Sequence, residues 1–403
     1  MPEGFFCKGC HAVSTRFSCR GGPRLGQAMN TNARCDEQPP RWLTGPARRH
    51  TRFGETPAFH EGLYALGRHC HAWMVPNGSW GETNTGLVVC GNQTVLIDTC
   101  WDVRTTQAML DGAADLLGNA PIEHVINSHA DGDHWWGNQL LAGRHIIASD
   151  ACIAQMDELK PNSLRALSTA SRGLEFVPGL GPFSRYMRGM FAPYDFADVR
   201  LTYPNDSFSG THTLDVNGVT LELIELGPAH TEGDCAVFVP DERVVYAADV
   251  LFVGATPLAW AGPIANVVDA LERLLALEAD VFVPGHGAIA GHADIQQTLD
   301  YWDFIQTALH AEKTRGRPPT QAAHAVAQSA AFKRQPFAAW DSPERIVTNA
   351  FTLYRDWGVS LRDLPEPLGR LDILRRQADL ARAMPGACPA CMHGAMKAAT
   401  RKP

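Results

Sequence analysis

The sequence predicts an α/β protein of two β-sheets sandwiched between helices, followed by a helical C-terminal region. Three observations carry this. Short apolar strands recur in two separate sets, amphipathic helical stretches are interleaved with them, and small, polar or Gly-rich clusters close the strands. The first set reads "GLYAL" (62–66), "HAWMV" (71–75), "TGLVVC" (85–90) and "TVLIDT" (94–99), with "CGNQ" supplying a tight turn between the last two. A helix is expected over about 103–118, then strand "HVINSH" (124–129), a helix start near Trp136 and strand "HIIASD" (145–150). The second set reads "VTLELIEL" (219–226), "CAVFVP" (235–240) and "RVVYAADVLF" (243–252). After it come the amphipathic stretch "VVDALERLLALEAD" (267–280) and strand "VFVPGHG" (281–287).

The expected organisation follows. Residues 1–55, rich in Arg, Gly, Pro and Cys, read as a flexible extension, and 56–292 as the layered domain. Within that domain, 151–205 is an insertion whose "FVPGLGPFSRYMRGMFAPYDF" (176–196) is too apolar for a plain solvated loop, so it is a candidate lid. Residues 293–385 read as helical, with Ser342-Pro343-Glu344 as a helix start, and 386–403 as a tail.

Composition narrows the function. The chain has 403 residues, 45 % hydrophobic and 19 % charged, with a net charge of −8, so it offers no electrostatic footprint for nucleic acid. It contains neither an apolar run of bilayer-spanning length nor a secretory h-region, and a soluble, cytoplasmic protein is expected, with oligomeric state open. Of eleven cysteines, Cys90, Cys100, Cys152 and Cys235 sit in apolar runs and read as small hydrophobes. The pairs Cys7/Cys10 and Cys388/Cys391 read as tail thiols rather than a haem or zinc site.

Metal-ligand residue types recur at the strand ends: Asp98 in "LIDT", His129, Asp131, Asp133 and His134 in "HADGDH", His230 in "GPAHTEGD", Asp249 in "AADVLF" and His286 in "VPGHG". Such groups are costly to bury unless paired with one another or with a cation, and a strand end is a rigid platform for a ligand. His124 and His145 flank the cluster and read as structural.

These motifs resemble, in order and spacing, those of the metallo-β-lactamase superfamily across about residues 60–292. "GSWGETNTGLVV" (78–89) and "WDSPERIVTNA" (340–350) are similar to a branch of single-domain metallo-hydrolases within it. The resemblance implies a four-layer αββα sandwich with a metal site at one edge of the sheets. It implies a first metal on His129, Asp131 and His230, and a second on Asp133, His134 and His286. Asp249 would bridge them and Asp98 would orient a ligand from outside. The pattern departs at Asp131, where the family usually has histidine. A carboxylate there makes the first shell richer in oxygen, so zinc is favoured with iron or manganese as alternatives. A Glu at this place occurs in di-iron relatives that carry a flavodoxin-like domain, and none follows residue 292. The C-terminal helices read as too short for the added domains of alkylsulfatases.

The implied chemistry is hydrolysis, with Asp133 binding metal and orienting the water. With no dedicated acid for the leaving group, esters, thioesters, lactones or related acyl substrates are favoured, and if the insertion is a lid the expected small-molecule substrate is large and apolar, such as an acyl or polyketide chain. A polyketide-type cyclase or dehydratase, or a di-iron redox protein, would use the same ligands. Trp80, Trp135 and Trp136 are candidates for an apolar cleft as well as for core, and Arg185 and Arg188 for an anion grip as well as for plain surface charge.

Overall fold

A computed structural model describes residues 39–361 and 368–384. One sheet has eight strands in sequence order: β1 (Arg41–Thr44), β2 (Gly62–Ala65), β3 (Cys70–Met74), β4 (Thr85–Cys90), β5 (Gln93–Ile97), β6 (Ile122–Ile126), β7 (His145–Ser149) and β8 (Asp206–Phe208). It runs antiparallel from β1 to β5 and parallel from β5 to β8. The second sheet holds β9 (Thr211–Val216), β10 (Val219–Glu225), β11 (Cys235–Val239), β12 (Val244–Val253) and β13 (Val281–Gly287), in the order β13-β12-β11-β10-β9. Only β12 and β13 pair in parallel there, joined by the crossover helix Ile264–Ala276.

The period of two along each strand sorts side chains into layers. Val88 and Cys90 of β4, Val95 and Ile97 of β5, Leu221 and Leu223 of β10 and Tyr246 of β12 meet in the core between the sheets. Leu87 and Leu96 point the other way, under helix Val103–Gly112 through Met109. Val245 and Ala247 face helices Ile264–Ala276 and His292–Thr314 through Leu271, Leu274, Trp302 and Ile305. Helix, sheet, sheet, helix is the αββα sandwich, and the C-terminal helices Pro319–Gln328 and Ile346–Asp356 extend its last layer.

Local signals explain most elements. Gly91-Asn92 closes the β4–β5 hairpin, where Cys90 pairs with Gln93 and Gly91 takes φ 65°. Asp102 caps helix Val103–Gly112 by accepting from the Thr105 N–H at 2.7 Å. The structure differs from expectation in several places. Strand β1 lies inside the stretch read as a flexible extension, because pairing with β2 orders a segment that has no periodicity of its own. The helix expected near Trp136 is a single turn, Gly132–Trp135, starting four residues earlier. The insertion forms helices Asp150–Gln155, Pro161–Leu174 and Gly181–Phe191. Its Tyr186, Met187, Met190 and Phe191 pack into a cluster with Trp101, Trp135 and Trp136 and with Ala378 and Ala381 of helix Leu368–Ala383. That apolar character serves a core, although Phe176 at its tip is 86 % exposed.

Cys70, Cys90, Cys100, Cys152 and Cys235 are buried free thiols. Cys7, Cys10, Cys388 and Cys391, with the tail 386–403, lie outside the described residues. Among the described residues, no helix is long and apolar enough to cross a membrane.

Candidate metal centre

Four strand ends and the middle of β12 deliver the polar residues to one rim. Asp98 follows β5 at φ 62°, an uncommon conformation for a residue with a Cβ. His129 follows β6, and Asp133 and His134 ride the turn Gly132–Trp135. Asp131 holds the N-cap position of that turn but makes no capping bond, and its Oδ2 lies 3.2 Å from His230 Nε2 instead. His230 follows β10. Asp249 sits within β12, just after Ala248 at φ 47° and an irregularity in the pairing with β13. His286 lies in β13 beside Gly285, where a Cβ would come within 1.8 Å of Asp249 Oδ1, so only glycine admits that carboxylate.

Each imidazole is fixed from behind. Ser128 Oγ donates to Asp98 Oδ2 at 2.6 Å, which leaves its oxygen to accept from His129 Nδ1 at 2.9 Å. His134 Nδ1 donates to Asp98 Oδ2 at 2.8 Å, His230 Nδ1 to the Leu258 carbonyl at 2.7 Å, and His286 Nδ1 to the Glu82 carbonyl at 3.1 Å. With every Nδ1 committed outward, all four Nε2 atoms face one another. Asp98 therefore reaches the centre directly through His134 and, by way of Ser128, through His129.

The inward atoms form three overlapping groups: His129, Asp131 and His230; Asp133, His134 and His286; and, joining them, His129, His134 and Asp249. Asp249 carboxylate oxygens lie 3.3 Å from His134 Nε2, 3.4 Å from His230 Nε2 and 3.3 Å from His286 Nε2. Asp133 Oδ2 is 3.5 Å from His286 Nε2 and accepts from Thr83 Oγ1 at 2.8 Å. Ligands about 2.1 Å from one tetrahedral cation are separated by about 3.4 Å, so these spacings suit shared coordination. The short Asp131 side chain reaches the first group.

The buried polar atoms give an independent test of fit. His129 Nε2, His134 Nε2 and Asp249 Oδ1 are buried without a hydrogen-bond partner, an expensive arrangement unless a cation satisfies them. Charge points the same way. Burial works against charge on His134, but Asp249, Asp133 and Asp98 outweigh it and push its pKa well up. Burial likewise opposes charge on His230, yet the Asp131 hydrogen bond and the Asp249 field raise it to about 9. Burial favours the neutral acid at Asp249, but His286 and His134 hold it well below the carboxylate range. The three inward carboxylates, Asp131, Asp133 and Asp249, thus draw positive charge into a buried pocket, as a bound divalent cation would supply. The donor set fits one or two such ions.

Other candidates fall elsewhere. His124 and His145 face each other across β6 and β7, Nδ1 to Nδ1 at 3.2 Å, away from the centre. Trp135 and Trp136 are core, and of the three tryptophans only Trp80 lines the cleft at the centre. Arg185 and Arg188 pair with Glu175 at the surface, so they grip no ligand at the centre. Sequence reasoning missed Thr83, Ser128 and Glu82, which steady the ligands, and two arginines of the C-terminal region. Arg345 lines the cleft, and Arg370 Nη1 lies 3.8 Å from Asp131 Oδ1.

An αββα sandwich with a histidine–aspartate centre on one rim defines the class, a layered α/β protein with a candidate metal site. Residues 78–286, just over half of the chain, match the family model described as the metallo-beta-lactamase superfamily, and all seven inward residues lie within that segment. The chain belongs to the metallo-beta-lactamase superfamily. Over 93 residues it is 34 % identical to the alpha subunit of 2,4-dinitroanisole O-demethylase from Nocardioides sp. (strain JS1661), which is 22 % of this chain and 27 % of that one. Its fold is similar to that of the stereoselective inverting sec-alkylsulfatase Pisa1 from Pseudomonas sp., with TM-score 0.57 and 17 % identity over 76 % of this chain and 52 % of that one. A double mutant of that enzyme aligns with TM-score 0.56. The chain therefore spans about a quarter of the demethylase subunit and about half of the sulfatase. The likeness to the sulfatase, which shows the fold alone, covers more of the chain than the family segment does, despite the short C-terminal helices.

Proposed function

We propose that this protein is a metal-dependent hydrolase that holds two divalent cations, zinc before iron or manganese, and cleaves an ester, thioester, lactone or related acyl substrate. His129, Asp131 and His230 would hold the first ion, and Asp133, His134 and His286 the second, with Asp249 shared. The observation that carries the reading is the set of four imidazoles locked with Nε2 inward around one buried carboxylate.

A bound divalent cation lowers the pKa of a coordinated water and polarises the substrate oxygen. The protein's own groups do the rest. Asp133, which lines the cleft and is held by Thr83, accepts a hydrogen bond from the attacking water and sets its direction. Asp98 keeps His129 and His134 in the tautomer that presents Nε2. Trp80 and Phe252 form apolar walls that exclude bulk water. The names of the similar proteins add sulfate esters and aryl ethers to the substrates worth assaying.

The test is elemental analysis of protein purified without added metal, beside an Asp131→His variant, followed by an ester, thioester and lactone panel before and after chelation. Two cations per chain and hydrolysis that chelation abolishes are expected. Absence of metal above background, or hydrolysis indifferent to chelation, would overturn the reading. Iron in the parent protein that gives way to zinc in the variant would move it to oxygen chemistry.

A further inference from the structure

One wall of the cleft at the metal centre does not come from the sandwich. Arg345, at the C-terminal end of the turn Pro343–Arg345, reaches it from beyond the segment 78–286 that matches the family model. It is 1 % exposed. One guanidinium nitrogen donates to the Thr256 carbonyl at 3.0 Å, and the plane is held between aromatic rings, 4.8 Å from the Trp80 centroid and 5.6 Å from that of Phe252. Phe252 stacks in turn on the metal-site His286, with centroids 5.3 Å apart and planes 13° from parallel. The arginine thus sits one ring away from a metal ligand.

Its charge makes no direct ion pair among the described residues, although the buried acids Asp341 and Glu344 feel it through space. Among the described residues no carboxylate comes within ion-pair distance of Arg345, and its Nε is buried without a partner. The acids nearest in sequence do not supply one. Glu344 directs Oε1 to the Tyr186 hydroxyl at 3.0 Å, and burial holds its carboxyl up at about 8. Asp341 turns Oδ1 to the Ser342 N–H at 2.7 Å. A buried, rigidly stacked guanidinium with unspent donors is costly by itself and becomes favourable when an oxyanion docks on it.

We propose that Arg345 is a substrate-binding residue that receives an oxyanion group carried by the substrate, placed so that the scissile bond falls at the metal centre. The proposal rests on the hydrolase reading and narrows it from apolar acyl compounds to substrates with an apolar body and one anionic end. The body lies against Trp80, Phe252 and Trp260, and the anion is a carboxylate or a sulfonate or sulfate.

The experiment compares three matched esters on the protein as purified: 4-nitrophenyl valerate, mono-4-nitrophenyl glutarate and the 4-nitrophenyl ester of 4-sulfobutyric acid. Calorimetric titration with glutarate and with inorganic sulfate accompanies it. The expected result is that at least one anionic ester exceeds valerate in kcat/KM by about tenfold or more, and that Arg345→Gln and Arg345→Lys each cut that ratio about tenfold. Which anionic ester leads separates carboxylate from sulfur oxyanion recognition. The lysine variant keeps the charge, so it carries the comparison where the glutamine variant does not fold. A parent ratio near one, or a ratio that both variants leave unchanged, overturns the proposal and makes Arg345 a structural tie to Thr256. Arginine-dependent binding of glutarate or sulfate without hydrolysis of any ester would uphold the anion site while sinking the hydrolase reading.

Discussion

Before any cation or substrate arrives, each histidine of the centre has spent one nitrogen. Asp98, Ser128 and the carbonyls of Leu258 and Glu82 take the Nδ1 protons, so the choice of inward atom is made by groups that never reach the centre. Asp131 shows the same economy. It sits where a helix N-cap would bond backbone amides, but its carboxylate turns to His230 and Arg370. Behind the cleft, Glu344 is the residue whose titration is easiest to isolate, because it is no metal ligand. Burial raises its carboxyl from an ordinary 4.5 to about 8, while Tyr186 works in the opposite direction. The folded state therefore keeps a proton that the unfolded chain has already lost, and between pH 4.5 and 8 stability falls as pH rises. Glu344→Gln, which mimics the protonated acid, is expected to flatten that fall by up to about 1.4 kcal/mol per pH unit. Urea titrations of both proteins across this range would show it, and parallel pH profiles would contradict it.

At the scale of elements, the site depends on where strands stop. β5, β6, β10 and β13 each end in, or run directly into, a residue of the centre, and the irregularity in β12 turns Asp249 toward it. Helix Leu368–Ala383 contributes differently. It packs against the insertion and carries Arg370 to the rim, where the guanidinium pairs with Glu158 at 3.2 Å, stacks 5.2 Å from Trp260 and approaches Asp131. A cation at that distance competes with a metal for the Asp131 carboxylate. Arg370→Ala is expected to cost less than about 1 kcal/mol of stability, as part-exposed ion pairs usually do. It should also raise affinity for the first metal by up to about tenfold. Competition against a chromophoric chelator measures the second effect, and a drop in affinity would mean that Arg370 instead holds Asp131 in its ligating pose.

For the whole molecule, both sheets converge on one buried concentration of carboxylate and imidazole, so a cation bound there would be thermodynamically linked to the fold. Removal of the cations with chelator is expected to lower the melting temperature, and readdition to restore it. The stabilisation should be about 4 kcal/mol when free metal exceeds Kd a thousandfold. An unchanged melting temperature would show that the unliganded cluster is already satisfied by its protons.

Much of this was legible in sequence because its causes are local. Short apolar runs mark β4, β5, β10 and β12, because their side chains feed layers on both faces of the sheets. The metal-ligand residue types stand at strand ends within short motifs. Illegible features depend on distant partners. Strand β1 has no pattern until β2 pairs with it, and Trp135 and Trp136 cannot be told from cleft residues until the insertion packs on them. The sequence by itself determined the layered α/β class, the family and the chemical types gathered for the centre, because each rests on spacing within a few residues. Only the tertiary structure decided that Asp131 reaches His230, that Arg345 rather than Arg185 or Arg188 enters the cleft, and that Arg370 stands at its rim. Those outcomes are set by how helices far along the chain pack against the sheets, and no local periodicity encodes that geometry.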